Sequence, residues 1–544
     1  MKAKPIPKKI DEKLELIKER NWVLLIAAIA AILASIPYIW GAFLAPAGTH
    51  FTGLTHNIDD GAVYLSWIRQ IADGSFTFHN LYAPAAGQGG QFNILILIMG
   101  LIVKLTMLPT VWVFHGFRIA LSIMLVWAAW VFLFNFLGNR AERKLCVLLI
   151  AFSSGIGWLL GSVKAVTGSV DLWQPEAITF LSMYLNPLFL TGLVLMIGSF
   201  HYLLLAEKTG QLKYGLWAGA CLLALANIHT YDVITVGCVW LAWFIISSII
   251  RKSLNTRTLL LSLMAAAMAL PALAYQYFLY STDTVFQARA NTVIASPSIL
   301  SYLMGFGVVF VGALIGIYAI SRQWAVFSKV PARVFPIVWA VVGFFVAYIP
   351  VAQQRKLIMG VHIPLCILCA LGLSWVIGKL PRKFQLETLV ILVVLMVQSN
   401  VTFLKNDIIL LSGLKTVTIF PAYITDSQLK AIEYIRDNTT SEDTVFASPA
   451  VSLFIPAIAG KRVYYGHWSE TPNYADGLMK WRQFTDKTFV MDARRALWLS
   501  TKAAYYVSES DDTRPPAKML LNEAKQVYQD GDVRVYKLNE PIIP

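Results

Sequence analysis

The feature that most restricts this chain is a recurring apolar run of membrane-crossing length. About 20 consecutive apolar residues in a helix cross the roughly 30 Å hydrocarbon core of a bilayer. Such runs stand at 22–44, 111–137, 145–163, 183–205, 213–228, 231–250, 258–280, 299–321, 334–352, 357–378 and 386–404. A shorter run, 92–108, reads either as a crossing or as a segment that dips in or lies flat. Only 14% of the 544 residues are charged, against about 25% in soluble domains, and mean hydropathy is +0.61. A soluble fold is excluded; the expected class is an α-helical polytopic membrane protein.

Charge then orients the spans. The net charge of +14 would suit a nucleic acid if it were gathered on one face, but Lys and Arg stand in short clusters between apolar runs, so no nucleic-acid partner is expected. Basic loops stay cytoplasmic. Leaving 92–108 out of the crossings puts GNRAERK, EKTGQLK, RKSLNTR, SRQWAVFSKVPAR and KLPRK together on that side. About eleven crossings follow, with the N-terminus inside and the C-terminal region outside. The opening MKAKPIPKKIDEKLELIKERNW has no small-residue cleavage site and reads as a cytosolic segment before a retained span. All five cysteines fall inside apolar runs, so neither a disulfide framework nor a zinc site is expected.

The expected organisation is a cytoplasmic segment 1–21, a transmembrane module 22–404 with a first outer loop 45–92, and an extracytoplasmic α/β domain 405–544. From about 424 the chain turns polar and mixed. TDSQLKAIEYIRDNTT reads as an amphipathic helix, and TVFAS, RVYYG, AAYYVSE and DVRVYKL read as strands.

Four places on the outer side carry candidate chemistry. In THNIDDGAVYLSWIRQIADG, Val63, Trp67, Ile68 and Ile71 share a helical face, which predicts a helix lying in the membrane interface with Asp59 and Asp60 at its N-terminus. Helix capping is the plain role for an acid there, but it needs only one of the two. SVDLWQPEAITF supplies Asp171 and Glu176, with capping again open for Asp171. NIHTYDV places His229 and Asp232 at the junction of two spans, as packing residues or as substrate contacts. QQRK at 353–356 puts Arg355 and Lys356 on the outer side, against the usual sidedness, and Arg118 is a second unexpected cation near the outer start of its span. Snorkelling to headgroups is one use for such residues. A charge at membrane depth costs at least about 2.5 kcal/mol, which favours a partner or ligand. Carboxylates on the same face as a cation pair suit an anionic substrate, and a lipid phosphate suits the location.

Together these motifs resemble the GT-C superfamily of integral membrane glycosyltransferases, which includes protein O-mannosyltransferases and lipid A aminoarabinose transferases. The likeness rests on Asp60 followed by Tyr64 and Trp67 in the first outer loop, on HGFRIALS around Arg118, on RKLIMGVHIPLCILCALGL with its central Pro364, and on the mixed tail containing AGKRVYYGHWSETPNY. The family's acidic pair is often Asp-Glu; here Gly61 follows Asp60 and the extra carboxylate, Asp59, precedes it.

The resemblance implies a polyprenyl-phosphate-linked sugar donor, a glycan, lipid or protein acceptor, and a cell membrane of bacterial or archaeal type. It further implies Asp60 as general base, with Asp59 beside it, and inversion at the anomeric carbon. Arg355 and Lys356 would hold the lipid phosphate with help from Arg118, and Glu176, Asp171, His229, Asp232 and Tyr64 would serve the acceptor or sugar. Tyr464, Tyr465, His467, Trp468 and Glu470 are candidates for acceptor contact. No cofactor is expected; a divalent metal is an alternative, though the first loop lacks a DxD ligand pattern. The rival readings are a transporter or flippase for a lipid-linked glycan and a non-catalytic assembly subunit.

Overall fold

The computed structural model describes residues 8–83, 90–160, 168–324, 331–413, 421–486, 491–509 and 524–539. Among these, eight helices are long and apolar enough to cross a membrane: Glu12–Phe43, Thr110–Leu133, Pro187–Thr209, Asp232–Arg251, Thr256–Thr282, Ile299–Arg322, Gln354–Ile377 and Arg382–Gly413. Shorter apolar helices occupy Ile94–Thr106, Leu212–Ile228, Pro331–Val346 and Pro449–Ala459. The chain is an integral membrane protein of predominantly helical fold.

The run expected to cross at 145–163 is broken. Its helix, Arg140–Phe152, ends at Ser153 in extended conformation, and a second short helix begins at Gly157. Ser154 turns both its N–H and its hydroxyl to the carbonyl of Met396, 2.6 and 2.8 Å away, a partner on another helix that replaces the helical ladder. Residues 161–163 lie outside the described residues.

The chain packs as two compact units, each discontinuous in sequence. One comprises the residues up to Ile36, His115–Gln276 and Val293–Asn406. It is helical, and its tightest packing joins Ile299–Arg322 to His362–Ile377. Glycines let these two backbones meet. A Cβ on Gly316 would fall 1.9 Å from the Leu368 carbonyl oxygen, and one on Gly372 would fall 2.2 Å from that of Gly312.

The other unit comprises Pro37–Phe114, Tyr277–Thr292 and the chain from Asp407 onward. The loop after the first apolar helix and the tail therefore belong to one body. Strand β1 (Thr49–Phe51) pairs antiparallel with β2 (Tyr423–Thr425). A mixed five-stranded sheet follows from β3 (Thr444–Phe446), β4 (Arg462–Val463), β5 (Tyr505–Ser508), β6 (Ala524–Asp530) and β7 (Val533–Leu538), in the order β4-β3-β5-β7-β6. Helix Asp426–Asn438 packs on β6 and β7 with Ala431, Ile432 and Ile435 buried, and it starts in a capping box between Thr425 and Gln428. Phe446, Tyr465, Phe484, Trp498 and Tyr506 form the aromatic core beside the sheet.

The helix expected in the membrane interface forms as Ile58–Ala72, but protein covers its apolar face. Val63, Trp67, Ile68 and Ile71 are all buried. Ile71 and Ile68 press on Gly100 of helix Ile94–Thr106, where a Cβ would come within 2.4 Å of the Ile71 Cβ. The missing side chain at Gly100 opens the groove that takes the stripe from lipid.

Candidate active site

Among the described residues, the expected site groups are divided between the two units. In the unit containing the tail, Asp59 and Asp60 occupy the first turn of Ile58–Ala72. They do not occupy the N-cap, which belongs to Asn57 in left-handed conformation with no side-chain cap bond. Their partners come from the loop after β4. Trp468 donates its indole Nε1–H to Asp59 Oδ2 at 2.9 Å.

His467, fully buried, has its Nδ1 facing the backbone N–H groups of Ser469 and Glu470, each at 3.2 Å. Nδ1 is therefore an acceptor, and the ring proton resides on Nε2. That Nε2 lies 3.5 Å from Asp60 Oδ1 and 3.7 Å from Asp59 Oδ2, at ion-pair range but beyond a hydrogen bond.

The two carboxylates differ in setting. The Asp59 side chain is 17% exposed and that of Asp60 43%. Burial, then the adjacent charge of Asp60, raises the Asp59 pKa above the ordinary carboxylate value. Asp60 is the accessible member, held beside a carboxylate that is harder to ionise.

Behind the loop, Asn80 gives its amide to the Glu470 carbonyl at 2.7 Å and to its carboxylate at 3.3 Å. Thr471 gives its hydroxyl to the Tyr82 carbonyl at 2.7 Å and receives the N–H groups of Gly466 and His467. The imidazole is thus fixed from behind by backbone and side chain alike. Tyr64, one turn beyond Asp60, packs edge-on against Trp67, which stacks on Phe78.

In the helical unit, Glu176 Oε1 stands 3.6 Å from Arg355 Nη2. Glu176 is buried, and neither its Oε2 nor Arg355 Nε meets a hydrogen-bond partner among the described residues. The guanidinium lies over the Trp173 ring at 5.3 Å. Gln174 reaches the Arg355 carbonyl at 3.4 Å and the Tyr302 hydroxyl at 3.2 Å, holding the two segments together.

Lys356 lies 4.9 Å over the Tyr231 ring, next in sequence to Asp232, whose Oδ2 is 3.1 Å from His229 Nδ1. Thr235 bonds the Leu357 carbonyl at 3.1 Å and fixes this helix start to the basic segment. An anion reaching Arg355 meets a cation partly balanced by one carboxylate and still 27% exposed.

Two expected site residues are engaged elsewhere. Arg118 is buried, and its guanidinium bonds His115 Nδ1, the carbonyls of Ala34 and Met183, and the Ser35 hydroxyl at 2.9–3.3 Å. It ties three helix segments together. Asp171 accepts from the Ser169 hydroxyl and, at 3.0 Å, from the N–H of Gly157, so it starts the short helix after the break. Neither joins the Glu176–Arg355 pair. Among the described residues, no group of three or more His, Cys, Asp or Glu is set to hold a metal ion.

The contacts hardest to foresee were those of His467 and Trp468 with the acidic pair. In the sequence these residues stood only among candidates for acceptor contact. Their one signal was polar and aromatic residues directly after a strand, in RVYYGHWSE.

No protein-family model and no curated protein sequence matches the chain. Solved structures do. The oligosaccharyltransferase of Archaeoglobus fulgidus in its apo form aligns with 90% of this chain and 69% of its own, at 11% identity and TM-score 0.59. The archaeal oligosaccharyltransferase AglB from the same organism, in complex with an inhibitory peptide and a dolichol-phosphate, aligns with 96% of this chain and 75% of its own, at 12% identity and TM-score 0.55. The arabinofuranosyltransferase AftD from Mycobacteria covers 96% of this chain and 40% of its own, at 12% identity and TM-score 0.55. At such identity it is the fold that is shared, and the chain has the GT-C fold.

Proposed function

We propose that this chain is a membrane glycosyltransferase that moves a sugar from a polyprenyl-phosphate donor to an acceptor hydroxyl on the outer face of the membrane, with inversion. The observation that carries the reading is the acidic pair. Asp60 is an accessible carboxylate whose neighbours, Asp59 and His467, are held by Trp468 and by two backbone N–H groups. A general base needs an accessible oxygen in fixed surroundings, and the held neighbours of Asp60 support that role.

In the reaction, the acceptor O–H gives its proton to Asp60 while its oxygen bonds the anomeric carbon. The bond from that carbon to the phosphate oxygen breaks, and the polyprenyl phosphate leaves with the electron pair. Arg355 and Lys356 offset the charge that grows on that phosphate. Glu176 keeps the Arg355 guanidinium oriented, and the Nε2–H of His467 steadies the carboxylate pair. No step of this reading is routed through a metal; the Nε2–H of His467 faces the carboxylates as a donor. One solved neighbour carries a dolichol-phosphate, which supports a lipid-linked donor.

The test is transfer in proteoliposomes from a radiolabelled polyprenyl-phosphate sugar. Asp60→Asn is expected to lose about 10²- to 10⁴-fold in rate, and Arg355→Ala to fall with it. Normal transfer by both variants would overturn the reading.

A further inference from the structure

A cavity of about 390 Å³ lies within the unit that contains the tail, and Trp468, the residue that donates to Asp59, is part of its lining. That size is within the range of about 300–1,000 Å³ typical of small-molecule pockets. One wall is the loop from Trp468 to Tyr474, and the other includes Val285 and Ala288 of the short helix Thr284–Ala290. Three features define what it would hold.

The first is Trp468, 43% exposed, its indole N–H tied to Asp59 and its ring backed by the roughly parallel His467 ring at 5.9 Å and 28°. A pinned, half-exposed aromatic face is a platform for a flat apolar surface at low entropic cost. The second is the polar equipment: Glu470, Ser469 and Asn473 line the cavity. So does Tyr474, whose hydroxyl is buried without a hydrogen-bond partner among the described residues. The third is what the described lining omits. It has one carboxylate and no Lys or Arg, which disfavours an anionic ligand, and it includes no strand whose edge could pair with an extended peptide.

A pyranose or furanose has one C–H face for the indole and a rim of hydroxyls for Glu470, Asn473 and Tyr474. We propose that this cavity is the acceptor subsite and that the acceptor is a neutral sugar unit of a glycan, whose hydroxyl presents its proton to Asp60. The proposal rests on the transferase reading for its chemistry: the hydroxyl proton goes to Asp60, the new glycosidic bond forms, and polyprenyl phosphate departs with the electrons.

The experiment is saturation-transfer NMR on the full chain in nanodiscs, with methyl glycosides of mannose, glucose, galactose and arabinofuranose, and with a capped Asn-Ala-Thr tripeptide. At least one glycoside is expected to bind. Binding should be lost in Trp468→Ala and weakened severalfold in Tyr474→Phe, which removes only the unpartnered hydroxyl and is checked to melt as the parent does.

Failure of every glycoside to bind overturns the proposal. So does binding that survives both substitutions, or occupancy by the tripeptide instead. Hydrolysis of the donor is followed in the same preparation. Donor turnover without glycoside binding removes the sugar-acceptor assignment and leaves the transferase reading standing. Glycoside binding that depends on Trp468, without donor turnover, upholds the sugar site and removes the transferase reading.

Discussion

Asp59 and Asp60 are chemically identical and adjacent, yet their surroundings divide them. The buried Asp59 has its pKa raised by burial and by Asp60. An acid that holds its proton more tightly folded than unfolded makes the fold less stable as pH rises through the folded-state value. Asp59→Asn keeps an oxygen for Trp468 and removes that penalty. It should melt above the parent near neutral pH, and the gap should close on acidification toward about pH 4, where the unfolded carboxylate is protonated; calorimetry in detergent at several pH values checks this. Glu176 and Arg355 answer a related question. Arg355→Ala leaves a buried carboxylate without its cation, a loss as large as about 3 kcal/mol. Adding Glu176→Gln should restore the melting temperature but not transfer, separating the phosphate role from a folding role. Both acids were legible in the sequence, because charge is conspicuous among apolar runs. Their partner was not: Trp468 is 409 residues from Asp59, and nothing local in a chain encodes a meeting at that separation.

At the scale of elements, the sequence is legible where the solvent dictates length and obscure where one side chain decides. A bilayer demands helices of a set span, so the long helices stand close to their apolar runs. Four tail strands, β3, β4, β5 and β7, were legible from β-branched and aromatic residues between turns, and helix Asp426–Asn438 from its polar and apolar stripes, whereas β2 and β6, short or polar, were not. The break after Phe152 was not, since it depends on Ser154 meeting a carbonyl on another helix. The interfacial helix was misplaced for a similar reason: its stripe could not announce that Gly100 would receive it. Two glycines test how such contacts matter. Gly316→Val drives a side chain onto the Leu368 carbonyl and should cost at least about 1–3 kcal/mol, seen as a lower melting temperature. Gly237, within helix Asp232–Arg251, has nothing within 4 Å of its would-be Cβ. Gly237→Ala should leave stability unchanged or raise it by up to about 1 kcal/mol.

For the whole molecule, the membrane class was legible from composition, whereas the division into two discontinuous units was not, because compact bodies need not follow chain order. Sidedness rests on the basic loops and has a direct check. In intact cells, a membrane-impermeant maleimide should label Lys430→Cys in the tail from outside and should not label Lys208→Cys in the EKTGQLK loop. The native cysteines offer little background, since three are buried and the other two half-buried within apolar helices. The small ribbon of β1 and β2 bears on how the protein is made. Thr52, at the end of β1, waits for the Ala422 carbonyl, which is synthesised 370 residues later. At about 5–20 residues per second that delay is roughly 20 to 70 s, during which β1 is an open strand edge. A chain that stops before residue 422 therefore holds β1 without the strand that pairs with it, so this ribbon closes only when the tail has been made.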